Sequence, residues 1–324
     1  MDELHPSSAG PQPAPGNGGV FRLEELNFPQ LEALNRDHTV VLFTVSPLEE
    51  HGPHLPVGTD LITADAICRK LAEQIFDAMP DWTVLIGPCI PIGTSAFDRA
   101  GTLLARARTV RNVTLDYGAA LARHGFRYIL VLNGHGGPRH IVALEEAAAT
   151  VSRRYKVRML SASGPVLWKF MRGRYAERLE SILGRPFTVA EREALSGDTH
   201  AGMWETSLVL LARPELVISS YAGLPAQKFK LRDALHRNYP LQLGNRMGYI
   251  GTPSAACAEL GLAAQQLFLD AVWELVLPVL DSQNGKWRRT SILYKVPFLR
   301  TAFPLFAVLA AFTLAAWAIL RWLY

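Results

Sequence analysis

The chain has 324 residues, 49% of them apolar, and a formal net charge of +4. This suffices for one large α/β domain, or two modest ones, and excludes wholesale disorder. The basic excess flanks an apolar run near the C-terminal end, at Lys286, Arg288, Arg289, Lys295, Arg300 and Arg321, which points to lipid and argues against nucleic acid as a partner.

Residues 1–20 are rich in Pro, Gly and Ser and are expected to form a disordered tail. No basic segment followed by an apolar stretch precedes the domain, so no signal peptide is read. The globular domain is placed at 21–285. The apolar, β-branched run 39–45 predicts a buried strand, and 59–78 a helix with Ile62, Ala66, Leu71 and Ile75 on one face. A strand is expected at 82–86, a helix at 110–124, a strand at 128–132, a helix at 139–154 and a strand at 157–161. This alternation implies an α/β fold, a mostly parallel sheet covered by helices on both faces. Residues 164–198 read as a helical excursion that covers the site or contacts another subunit. A helix follows from about His200 to Ala212, where Pro214 stops it, and a last one over 254–280. Cys68, Cys89 and Cys257 are far apart and lack a CxxC pair. They exclude a disulfide framework and a cysteine zinc site, and read as small core residues of a reducing compartment.

Residues 286–300 form a basic juxtamembrane linker in this reading. The twenty residues 301–320 carry no charge and as a helix would extend roughly 30 Å, the thickness of a bilayer core. Trp317 and Trp322 fall where interfacial aromatics belong. A buried core helix is the alternative. Five basic residues lie just before this run and one, Arg321, after it. The expectation is a single-pass, tail-anchored protein with its domain on the cytoplasmic side.

Three clusters carry chemistry. Glu49-Glu50-His51-Gly52-Pro53-His54, followed by Asp60, places carboxylates and imidazoles within twelve residues, directly after a strand. These are ligand types for Zn²⁺, Mn²⁺ and similar ions. A polar loop in which Asp60 caps the next helix would look the same. Asn133-Gly134-His135-Gly136-Gly137 lets backbone approach a ligand closely, or is a glycine-rich turn with an incidental histidine. Asp198-Thr199-His200-Ala201-Gly202 with Glu205 can supply a base and a ligand, or merely cap a helix.

Together these segments resemble the creatininase family, creatinine amidohydrolase and its relatives. The match runs through Glu49-Glu50-His51-Gly52-Pro53-His54-Leu55-Pro56 with Gly58-Thr59-Asp60, and then Asn133-Gly134-His135-Gly136-Gly137. It continues through His200-Ala201-Gly202 with Glu205-Thr206-Ser207, and Gly248-Tyr249-Ile250-Gly251 with Pro253-Ser254. The resemblance implies two divalent ions, Zn²⁺ or Mn²⁺, and hydrolysis of a non-peptide C–N bond, in a cyclic amide or formamide, by a hydroxide shared between them. Carried over, Glu49, His51, Asp60 and His135 become metal ligands, with Asp60 as the bridge, and His200 the proton shuttle. Creatinine amidohydrolase has a glutamate ligand two residues after the second-motif histidine. Here that position is Gly137, and Glu205 is the replacement, with a catalytic role beside His200. Pro138 and the stretch Asp98-Arg99-Ala100-Gly101-Thr102 also depart from the family pattern on the substrate side, which disfavours creatinine. Two alternatives stand beside the amidohydrolase: a peptidase acting on a cofactor precursor peptide, and a non-catalytic membrane-anchored binding protein. The expected partners are a small-molecule substrate, membrane lipid and further copies of the chain in a homo-oligomer.

Overall fold

A computed structural model describes residues 18–195, 197–228, 246–283 and 285–303, with Thr313, Trp317 and Arg321. Six strands form one sheet: β1 (Gly19–Arg22), β2 (Thr39–Ser46), β3 (Thr83–Ile86), β4 (Ile90–Pro91), β5 (Tyr128–Leu132) and β6 (Arg158–Ser161). Its order is β1-β3-β2-β5-β6, every pairing is parallel, and β4 adds to the end of β2 through Val45 and Ile90. β1 begins inside the stretch read as a disordered tail. Gly19 pairs with Thr83, but four half-exposed residues on a sheet edge leave little periodic signal in the sequence.

All eight residues of β2 are buried, as a central strand covered on both faces requires. Alternate side chains serve opposite faces. Val40, Leu42 and Leu130 pack against α2 (Thr59–Ala78), α5 (Ser163–Met171) and the C-terminal α9 (Ala258–Leu280). Phe43, Val45, Ile129 and Val131 pack against α3 (Ala107–Arg123) and α4 (Pro138–Tyr155). The helices sit where the spacing put them, with one rotation: the buried stripe of α2 runs through Ala64, Ile67, Leu71 and Ile75, while Ile62 and Ala66 are half-buried.

The excursion 164–198 folds as α5, α6 (Ala176–Leu183) and α7 (Val189–Leu195). Leu179 and Phe187 join a small core with Trp204 of α8 (Met203–Ala212) and Leu267 of α9. A short α1 (Phe28–Glu32) caps the N-terminal side. α9 is the one described helix long and apolar enough to cross a membrane. Its Leu267, Val272, Val276 and Val279 are fully buried, so here it is a core helix. Beyond Phe303 the expected span at 301–320 lies outside the described residues, except for Thr313 and Trp317, which are helical and exposed.

Residues 287–301, expected as a juxtamembrane linker, pack on the domain as a strap. Trp287 and Leu293 are buried. Ser291 donates its amide and hydroxyl to the Glu145 carboxylate of α4. Thr301 donates its amide to Glu146 at 3.2 Å, and Arg300 pairs with the same carboxylate at 2.7 Å.

Candidate metal centre

The parallel sheet directs the ends of its strands to one edge, where ligands bind in open α/β folds. Glu49 and His51 follow β2, after Pro47 and Leu48. Asp60 is the second residue of α2 and His135 lies just past β5. His200 precedes α8, and Glu205 is in that helix's first turn. All six lie close together, four of them within a short reach of Asp60. His135 Nδ1 stands 3.0 Å from Glu49 Oε2 and 3.2 Å from Asp60 Oδ2. His51 Nε2 stands 3.4 Å from Asp60 Oδ1 and 3.6 Å from Glu205 Oε2. Glu49, Asp60 and His135 therefore form one three-ligand set, and His51, Asp60 and Glu205 another. Each Asp60 oxygen serves a different set. Glu49, His51 and His200 form a third such grouping.

Hydrogen bonds from the far side of each ring fix which nitrogen faces inward. A carbonyl can only accept, so each ring nitrogen against one must carry the proton. His51 Nδ1 donates to the Glu49 carbonyl at 3.0 Å, His135 Nε2 to Thr94 at 3.2 Å, and His200 Nε2 to Glu50 at 2.8 Å. In the neutral rings, the opposite nitrogen is a lone pair. For His51 and His135 that lone pair points at carboxylate oxygens, an arrangement that repels unless a cation lies between them. Metal-ligating histidines show this same outer hydrogen bond. Glu49 Oε2, His51 Nε2 and Asp60 Oδ2 are buried and make no hydrogen bond, which is costly in an unpaired state. The donor set thus fits divalent cations.

Electrostatics agree. Burial raises the Asp60 carboxyl, yet His51 and His135 outweigh it and hold the group well below the usual range. Burial opposes charge on His51, but Asp60, Glu205 and Glu49 lift it to about 10. Without an ion, the carboxylates draw protons onto these rings instead. His200 differs: burial dominates and pushes it down to about 4, leaving a neutral ring. Burial raises Glu205 to about 7, with Asp60 adding to the rise and His51 opposing it.

Further residues shape the centre, and two of them, Phe97 and Thr94, give no signal in sequence because they act through backbone groups or by contact. The Phe97 amide donates to Glu49 Oε1 at 2.6 Å, and its ring lies 4.7 Å from that of His200. The Thr94 carbonyl pins His135. Asn133 accepts the His135 amide at 2.8 Å and donates to its carbonyl at 2.6 Å, so it holds the glycine-rich loop in shape. Asp198 caps α8 through the amides of Met203 and Trp204, as one reading of that segment had it. Glu205, however, faces the site, where it accepts the Ala201 amide. At Gly137 a Cβ would come 2.2 Å from His135 Nε2 and 2.9 Å from Ser95 Cβ. A side chain there would displace His135 and Ser95, and the carboxylate that lies beside His51 and Asp60 is that of Glu205, on α8. Beside His200 and Glu205 a cavity runs between α2, α5, α8 and α9, walled by Ile67, Leu167, Phe170, Met171, Trp204 and Phe268.

A family profile described as creatininase, creatinine amidohydrolase, matches residues 24–276. The chain belongs to the creatininase family. It is 30% identical over 255 residues to a mycofactocin precursor peptide peptidase of Mycobacterium ulcerans (strain Agy99), covering 76% of this chain and 85% of that relative. It is 26% identical over 207 residues to a creatinine amidohydrolase of Pseudomonas putida, covering 60% of this chain and 72% of the relative. Among solved structures, a creatinine amidohydrolase superposes with a TM-score of 0.61 at 22% identity, over 81% of this chain and 98% of that one. One described as "Creatininase Mn" gives the same score and identity, over 81% and 100%. At that identity the likeness shows the creatininase fold. Family membership makes the chain a creatininase-family hydrolase, and Glu49, His51, Asp60, His135, His200 and Glu205 form groups that could hold a metal ion.

Proposed function

We propose that this hydrolase uses two divalent ions to open a non-peptide amide C–N bond, such as that of a cyclic amide or formamide, in a small substrate that places an apolar group in the cavity beside His200. The carrying observation is the pair of ligand sets that share Asp60, one oxygen to each. Glu49, Asp60 and His135 would hold one ion; His51, Asp60 and Glu205 the other. Oxygen and nitrogen donors suit Zn²⁺ and Mn²⁺ alike. Bound there, such ions supply Lewis acidity and an activated water.

The remaining work falls to side chains. His200 keeps its Nε2 proton on the Glu50 carbonyl, which leaves Nδ1 as the acceptor for the proton released on attack. The same nitrogen returns the proton to the leaving amide nitrogen as the C–N bond opens. Phe97 packs against the His200 ring and the Glu49 carboxylate together, and so fixes base and ligand relative to each other. The cavity wall of Phe170, Trp204 and Phe268 excludes water from one side of the substrate.

A second reading, cleavage at the end of a cofactor precursor peptide, is favoured by the 30% identity to a mycofactocin precursor peptide peptidase. One experiment separates the two. The metal-loaded chain is offered formamides, cyclic amides and short peptides ending in apolar residues, and product amine is measured. Turnover of the small amides supports the first reading; turnover of peptides alone replaces it with the second. Metal binding without turnover of any of them would leave the fold as a binding protein.

We further propose that residues 301–320 anchor the chain in a membrane, with the domain on the cytoplasmic side. The five basic residues within 286–300 support this orientation. Protease added outside intact cells should leave the domain whole; digestion would reverse the topology.

A further inference from the structure

Outside the metal centre, one part of the folded surface concentrates arginine. Arg106 and Arg108 lie at the start of α3, Arg139 in the first turn of α4 and Arg153 in its last, and all four are exposed. Glu146, an acid that lines a groove beside Arg108 and Arg153, is already taken by Arg300 at 2.7 Å and lies 3.7 Å from Arg111. The other four arginines have no carboxylate partner among the described residues. Two adjoining grooves run between them and share Arg108, Asn112 and Thr301. Thr301 is where the strap ends and the uncharged run begins. The same strap exposes large apolar side chains: Ile292 is 61% exposed, Phe298 62% and Phe303 37%.

We infer that this face is a membrane-docking surface, with the arginines taking phosphate groups of anionic lipids and Ile292 and Phe298 resting at the headgroup boundary. Arginine forks match phosphate geometry, and clustered basic charge is drawn to anionic bilayers. Exposed apolar side chains on a strap that borders such charge, through Tyr294 and Thr301 beside Arg108 and Arg153, suit an interface that is both anionic and oily. A free phosphate has no use for them. The reading of 301–320 as a span adds orientation only; the arginines would engage anionic lipid without it. The face adjoins the chemistry, since Thr94 lines the first groove and its carbonyl holds His135 at 3.2 Å.

The test uses the full chain mixed with vesicles of phosphatidylcholine alone and vesicles containing phosphatidylglycerol. Amide exchange is read over 106–112 and 292–300, and partition by flotation. Exchange there should slow several-fold only with the anionic vesicles, and recover at high salt. Arg106→Gln, Arg108→Gln and Arg139→Gln should each weaken the preference for anionic vesicles by roughly fivefold, with metal content unchanged. Equal exchange in both vesicles together with equal partition would overturn the inference. So would slowing by inorganic phosphate with neutral vesicles, which would make the grooves a site for a soluble anion.

Discussion

Asp60 is the residue on which the centre turns. Its two oxygens face different histidines, at 3.4 Å and 3.2 Å, and its side chain is fully enclosed. On the proposal that Asp60 is shared between two ions, Asp60→Ala is expected to lose both, as counted by elemental analysis after reconstitution. Full occupancy in that variant would reject the ligand assignment. His200 is placed differently. Its Nε2 is committed to the Glu50 carbonyl, and the two principal ligand sets are complete without it. His200→Ala should therefore retain metal and lose activity by roughly 10²–10⁴-fold. Loss of metal would instead make it a ligand of the third grouping with Glu49 and His51. The sequence made all six of these side chains visible, because carboxylates and imidazoles after strand ends are few and their motifs are specific. It could not show Thr94 or Phe97. Both act on the ligands through backbone atoms, which every residue type possesses, and only the folded path of 92–104 brings them near His135 and Glu49.

At the scale of elements, periodicity located the helices and central strands to within a few residues because burial on both faces of β2 and β5 leaves no charged positions. The method failed where that pressure is absent, at the four-residue edge strand β1, whose interactions are chiefly its pairing with β3. It also said nothing of the strap, since the sequence there is basic and lacks a period. What holds the strap is Glu145, buried in α4 and accepting from Ser291. Burial pushes this carboxyl up from 4.5 to about 7, against the Ser291 hydrogen bonds and Arg300. A pKa raised in the folded state means the contribution is complete below about 4.5 and is lost as pH rises through about 7. At the limit the loss is on the order of 3 kcal/mol. Amide exchange over 291–301, corrected for intrinsic rates, should be slower at pH 5.5 than at pH 8. Glu145→Gln keeps a neutral acceptor and should flatten that difference; an unchanged pH dependence would mean another group governs the strap.

For the whole molecule, the question is where the hydrolase domain ends. Composition alone places the boundary near 285, with a linker before the apolar run. The packing places it later. Trp287 belongs to the core formed by α2, α5 and α9, and Leu293 packs on Ile141 and Val142 of α4. A chain cut after Phe303 retains these contacts and sheds the uncharged run. It should be released as a folded, metal-binding domain that stays in solution at moderate salt. A chain cut after Thr290 loses Leu293, the Ser291 hydrogen bonds and the Thr301 contact to Glu146. Burial of one leucine contributes about 1.5–3 kcal/mol, and each hydrogen bond about 1 kcal/mol more. A deficit of about 5 kcal/mol lowers the melting temperature of a domain this size by roughly 10–20 °C. Equal melting of the two truncations would show that the strap contributes nothing to stability. Retention of the longer one on membranes at high salt would show that something other than the uncharged run anchors the protein. The expected pattern, a stable release at 303 and a weakened domain at 290, would mark the strap as part of the hydrolase domain.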